Sequence, residues 1–190
     1  MKKALVTFVF LLACGPAALA GDWSIGTNFG LTVISPDDGD RITAVAVPAA
    51  VGGLQPGLRV GYAFDEPRHE LYADIGVLLY STESYTNNAL ELTANYQWNF
   101  APERSLSPFA TAGFGFLFQR NELGNVDASG TAAVFGLGVG LRRAIADRAG
   151  SLRGELRFDR MTEAKDGSVV LVPEGNAFTL KLGFDLWGRR

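Results

Sequence analysis

The chain has 190 residues, 17 basic and 20 acidic, one cysteine and one histidine. An acidic balance argues against a nucleic-acid partner, which needs clustered positive charge. A single cysteine excludes a disulfide framework and any multi-cysteine metal site.

The N-terminus reads as a leader. Met1-Lys2-Lys3 is basic, Ala4 to Cys14 is almost wholly apolar, and Ala18-Leu19-Ala20 precedes Gly21. A basic start, an apolar run too short to span a bilayer and an A-x-A site make a secretory signal peptide over residues 1–20. Residues 21–190 are then one mature domain. Leu11-Leu12-Ala13-Cys14 also resembles a lipobox, in which Cys14 would be acylated; the A-x-A site is the better fit, and both routes lead out of the cytoplasm. Removing Lys2 and Lys3 takes the basic residues from 17 to 15 against 20 acidic, a mature net charge of −5.

Eight segments of period-two alternation follow, the strand signature. The first places Trp23, Ile25, Phe29, Leu31 and Val33 against Ser24, Gly26, Asn28, Gly30 and Thr32. An apolar stretch, residues 42–51 with Pro48 inside it, then lies in the first connection; the pattern allows an extended hairpin, a cover over the barrel mouth, a partner contact or an extra strand. The second and third segments are Leu58–Phe64 and Leu71–Leu79. The fourth is the cleanest, with Leu90, Leu92, Ala94, Tyr96, Trp98 and Phe100 alternating with Glu91, Thr93, Asn95, Gln97 and Asn99. The remaining four are Ala110–Phe118, Ala133–Arg142, Leu152–Asp159 and Phe178–Leu186. Several reach the roughly ten residues that a tilted strand needs to cross a bilayer. Connections at 65–69, 101–105 and 143–150 are fairly short, whereas those at 35–53, 81–88, 119–130 and 161–175 are mostly longer and rich in polar residues and glycine. Short periplasmic turns and longer external loops fit an all-β, eight-stranded, antiparallel up-and-down transmembrane β-barrel.

Which face meets lipid is decided by the other parity. It mixes Gly, Ser and Thr with charges, and a narrow eight-stranded interior must be packed with side chains. The alternative, a soluble periplasmic ligand-binding barrel with its apolar face inward, would expose those glycines to water. Arg59, Arg142, Arg153, Arg157 and Lys181 balance Asp74, Glu91, Glu155, Asp159 and Asp185 on the inward face. Arg59, Asp74, Glu91, Arg153, Glu155, Arg157, Asp159 and Lys181 are expected to form a plugging charge network, because buried charges persist only when paired; the alternative is that some inward charges lie at the rims and are simply solvated, Arg142 and Asp185 first among them. Trp23, Phe64, Trp98, Phe100 and Trp187 fall at the periplasmic rim as an aromatic girdle, with Tyr80, Phe118, Phe158 and Phe178 at the other.

Phe135-Gly136-Leu137-Gly138-Val139-Gly140-Leu141-Arg142, Asp147-Arg148 and Leu152-Arg153-Gly154-Glu155-Leu156-Arg157-Phe158 resemble the sixth and seventh strands of OmpA/OmpX-type outer-membrane barrels. The likeness in style runs through the mature chain. It implies residence in the bacterial outer membrane, contact with its lipid, and delivery by the barrel assembly machinery. That family usually ends on an aromatic residue, whereas Trp187 here stands three residues before Arg190. The peptidoglycan-tethering role of full-length OmpA-like proteins is not expected, since the chain stops at the barrel.

Catalytic signals are weak. His69, in Glu66-Pro67-Arg68-His69-Glu70, reads as a solvated turn histidine, without the His-x-Ser seen in lipid-modifying barrel enzymes. Gly136–Gly140 lies within a strand and precedes no helix, so it is not a phosphate loop. Asp37-Asp38-Gly39-Asp40 lacks the distal Glu of a calcium loop and reads as a turn. No cofactor or metal is expected. The expected role is therefore non-enzymatic: envelope integrity or surface interaction, with a partner for the loops that the sequence leaves open. A narrow pore or transporter of small hydrophobic molecules is the first alternative, and a lipid-modifying enzyme the second.

Overall fold

The computed structural model describes residues 22–39, 42–46, 57–64, 68–82, 85–124, 126–146 and 149–188. The expected leader with Cys14, Asp40 of the expected acidic turn, and residues 47–51 of the apolar stretch lie outside them. Eleven strands are present among the described residues: β1 (Asp22–Pro36), β2 (Ile42–Ala46), β3 (Gly57–Phe64), β4 (His69–Ser81), β5 (Tyr85–Asn99), β6 (Leu106–Leu123), β7 (Val126–Ile145), β8 (Gly150–Met161), β9 (Ala164–Asp166), β10 (Val169–Val172) and β11 (Gly175–Gly188). No described helix is long and apolar enough to cross a membrane.

Nine of these strands form one antiparallel sheet, and it closes because β1 pairs with β11 from Trp23↔Gly188 to Pro36↔Gly175. Eight staves make the wall, since β2 and β3 share one of them. β3 covers Asp22–Thr27 of β1 and β2 covers Gly30–Ile34. The apolar 42–46 segment thus extends the first hairpin down the wall.

The faces sort as alternation demands. Ile25, Leu71, Phe114, Leu137, Leu156 and Leu182 stand exposed on the outside, while Asn28, Arg59, Asp74, Gln97 and Lys181 are buried within. That orientation is opposite to a soluble ligand-binding barrel. Glycines on the inner parity make room for the charges: at Gly138 a Cβ would collide with the Glu155 carboxylate and the Thr111 hydroxyl.

Several connections are shorter than the sequence suggests. Tyr85 pairs with Leu123 and Leu123 with Val126, so most of 81–88 and 119–130 is strand. The pleat continues there, although polar residues replace the apolar face. The 161–175 connection holds the β9–β10 hairpin, which turns at Gly167 with a φ of 58°. It leans on the inside of β7, where Leu171 and Ala164 approach Gly130.

Candidate functional site: the barrel interior

Inward side chains come from every stave, and their chemistry changes with height. The periplasmic half is ionic. Arg59 donates to Glu70 at 2.7 Å and to Gln97 at 3.0 Å, and its guanidinium lies 3.4 Å from the centre of the Tyr72 ring. Arg153 Nε donates to Asp185 at 2.5 Å and its Nη2 to Asn28 at 2.8 Å. Ser151 also donates to Asp185, and Arg59 stands 3.7 Å from the same carboxylate. Higher up, Arg157 pairs with Asp159 at 2.8 Å and lies 3.7 Å from Glu155, which accepts from Thr111 at 2.7 Å. Lys181 donates to Asp74 at 3.4 Å, with Asn28 as a second donor to that carboxylate. Glu91 is fully buried and neither of its oxygens accepts a hydrogen bond from a described residue.

The external half is apolar. Ala89, Leu117, Ala132, Val134, Met161 and Ala177 converge from five staves, and Ala164 and Val172 of the β9–β10 hairpin complete the cluster. Ile34 and Leu78 pack against it. Thr32 and Thr179, hydroxyls 3.0 Å apart, lie on paired β1 and β11 positions of the same inner face, just below Ala177. The interior is filled by two unlike layers, one of ion pairs and one of hydrocarbon.

All eight residues expected in the charge network are buried inside. Arg142 and Asp185 are buried too, which corrects their reading as solvated rim residues: the strands run on past them, and Asp185 is the acceptor for Arg153. Glu70 is a further member, hidden in the sequence by its place directly after the 65–69 connection; with it, six buried acids face five buried bases among the described residues. The apolar layer was also missed, since Leu117 and Val134 look like interruptions of the alternation when seen along the chain. Leu171 and Val172 sit in what reads as a loop.

The girdle residues divide. Trp23 meets Tyr62 at 5.1 Å between ring centres, Tyr62 leads to Phe64 at 6.5 Å, and Trp98 meets Phe100 at 5.0 Å, all on the outer wall. Trp187 takes the inward parity. Its Nε1 donates to Ser151 at 3.3 Å and Arg142 lies 5.4 Å from its ring, so it closes the periplasmic end of the interior and is no girdle member. His69 opens β4, stacked between Phe64 and Tyr96, with Nδ1 2.6 Å from the Tyr96 hydroxyl. It is thus part of the outer aromatic ladder, not a solvated turn residue. The described residues include no group of three or more metal-ligating side chains placed to hold an ion.

Comparison with known proteins agrees with this architecture. The family model described as outer membrane protein beta-barrel domain matches residues 4–185. Neisserial surface protein A (NspA) is similar at 16% identity and a TM-score of 0.63, over 86% of this chain and 96% of that one. Ail, the attachment invasion locus protein of Yersinia pestis, is similar at 12% identity and a TM-score of 0.52, over 90% and 100%. At these identities the likeness is one of fold. No curated protein matches the chain by sequence.

Proposed function

The chain belongs to the outer membrane protein β-barrel domain family, and we propose that within it the protein is a sealed, non-enzymatic barrel that reinforces the outer membrane and offers its raised strand wall for contact at the cell surface. The observation that carries this reading is the two-layer interior. An ion-paired layer spans the periplasmic half and an apolar layer closed by the β9–β10 hairpin fills the external half. An ion crossing it would have to break buried pairs and then enter hydrocarbon, each step costing several kcal/mol.

Surface contact is supported by the unequal height of the wall. The β4–β5 and β6–β7 hairpins rise together, and at their tips Tyr85, Leu123 and Val126 share one register row. Leu123 and Val126 are 60% and 53% exposed, an apolar edge held out on a rigid ribbon. A catalytic reading finds less support. The single histidine belongs to a stacked ladder on the outer wall, and the interior carboxylates are buried, most of them as charge partners.

Planar-bilayer recording with the purified, folded protein tests the sealed interior. The expected record is flat at moderate voltages; stable, reproducible conductance steps would overturn it and leave the narrow-pore alternative standing. Mass profiles of lipid A from cells with and without the protein should coincide, and a lost or gained acyl chain would establish an enzyme instead.

A further inference from the structure

The raised ribbon of β4, β5, β6 and β7 sorts its two faces differently above the membrane. Its outward face carries charge: Arg120 pairs with Glu122 and with Asp127, each at 2.8 Å. Its inward face, which looks across the barrel mouth, carries none at the positions that follow. Tyr80 lies opposite Asn87 and Asn87 opposite Asn121 in one register row; Gln119 stands in the row below, and Tyr85 opposite Leu123 in the row above. The Tyr80 and Tyr85 rings meet at 6.0 Å between centres, and Tyr80 is 52% exposed. Tyr80 thus takes the inward parity and no part in the outer girdle. From Trp98 at the periplasmic rim to Asn87 is eleven residues of β5, a rise of about 28 Å at ~3.3 Å per residue and a tilt near 40°. The apolar band of such barrels is about 25 Å tall, so these residues stand above it.

What this face can hold follows from what it lacks. Gln119 Nε2 donates to Asn121 Oδ1 at 3.4 Å, which leaves Gln119 Oε1 to accept and Asn121 Nδ2 to donate. Asn87 Oδ1 is buried and accepts no hydrogen bond from a described residue. A purely apolar ligand would strand these amides without partners. An anion finds no free cation: among the described residues the bases of the mouth, Arg120, Arg160 and Lys165, each already hold an acid. A folded protein needs about 800 Å² on its side of an interface, whereas three strands ~4.8 Å apart and three rows ~6.6 Å apart span roughly 130 Å². The ligand that fits is small and neutral, with C–H faces for the rings and hydroxyls for the amides.

We propose that this inward face binds a neutral oligosaccharide, one sugar ring lying on Tyr80 and Tyr85 with its hydroxyls on Asn87, Gln119 and Asn121. The sugar comes from outside the cell. The face is turned over the mouth and away from the lipid around the wall, so the cell's own lipid-linked sugars stand behind it. The proposal rests on the surface-contact reading above and gives that contact its ligand.

The test is a glycan array probed with the folded full chain in a detergent that has no sugar head group. The array carries neutral, sialylated and sulfated oligosaccharides, together with the delipidated sugars of the producing cell's own outer leaflet. Folding of each variant is scored separately by the gel shift on boiling. The wild type is expected to retain a subset of the neutral sugars and to pass over the others. Tyr80→Ala, and Asn87→Ala with Asn121→Ala, should each lower the apparent affinity about tenfold, whereas Arg120→Ala on the opposite face should keep it. The proposal is overturned if the folded wild type binds no neutral sugar, if it prefers the acidic or own-membrane sugars, or if the inward-face variants bind as well as the wild type. Cells bearing the protein that adhere equally well in an excess of the free oligosaccharide would overturn the sugar site alone and leave surface contact standing.

Discussion

Asp185 accepts hydrogen bonds from Arg153 and Ser151 and stands beside Arg59, all of them buried. Removing one partner of a buried pair strands the others in a low-dielectric interior, at a cost of about 3–5 kcal/mol. Asp185→Ala should lower the urea midpoint of the gel-shift transition accordingly, whereas Arg120→Ala, on the exposed wall, should leave the midpoint nearly where it is. A second residue works the other way. Ala146, in the β7–β8 turn, has a φ of 49°, a left-handed conformation that costs an L side chain about 1 kcal/mol. Ala146→Gly should therefore raise stability by about that much, read in the same titration. At this scale the sequence is most legible where parity is strict. Arg59, Asp74 and Lys181 announce themselves as inward because apolar neighbours flank each on both sides. Arg142, Asp185 and Glu70 are harder, because they lie near segment ends, where parity alone cannot tell a buried position from a wetted one. Trp187 misleads for a related reason: the outward register stops at Leu186, and an aromatic next to a rim can seal the inside as readily as anchor the outside.

Among the elements, the mouth hairpin is the part that the sequence conceals. Val169-Val170-Leu171-Val172 is a short apolar run between polar turns, and no period within four residues says that two of them point down into a barrel. What holds the surrounding rim is electrostatic. Arg160, at the top of β8, donates to both oxygens of Asp37 beyond β1, at 2.8 and 2.6 Å, and to Glu174 before β11 at 2.5 Å. The Arg160 hydrogen bond holds the exposed Asp37 carboxyl below its ordinary value of 3.8. Because the folded value is depressed, the staple's contribution is complete above the unfolded value and fades as the pH falls through the folded one. Protease cleavage at the mouth should be flat from neutral pH down to about 4 and rise below it. Asp37→Asn should cleave at the higher level throughout and lose that acid-side rise; a variant with the wild-type profile would remove the staple from the account. The long β5–β6–β7 ribbon was half legible. Its apolar alternation ends at Leu90, Phe118 and Ala133, but the hydrogen-bond ladder continues to Tyr85, Leu123 and Val126 with polar side chains outside.

For the whole molecule, the number of staves and the polarity of the two faces point to a closed transmembrane barrel and are readable from alternation alone, whereas the connection lengths are not, because the strands run on where the apolar alternation stops. The division of the interior into ionic and apolar halves was not, because it depends on which residues of different staves share a height, and height follows from the register between staves. Closure itself rests on one seam. Trp23 finds its partner at Gly188, nearly the full described length of the chain away. Until β11 arrives, the sheet has two raw edges, and the contacts that span them, the hydrogen bond from Arg153 to Asn28 and the ion pair of Lys181 with Asp74, have nothing to close upon. Such long-range pairing is slow to form and leaves edges open to the wrong strand. The order of events is thereby set by topology: the last strand must arrive before the first can be sealed, and in that interval both edges of the wall stand open.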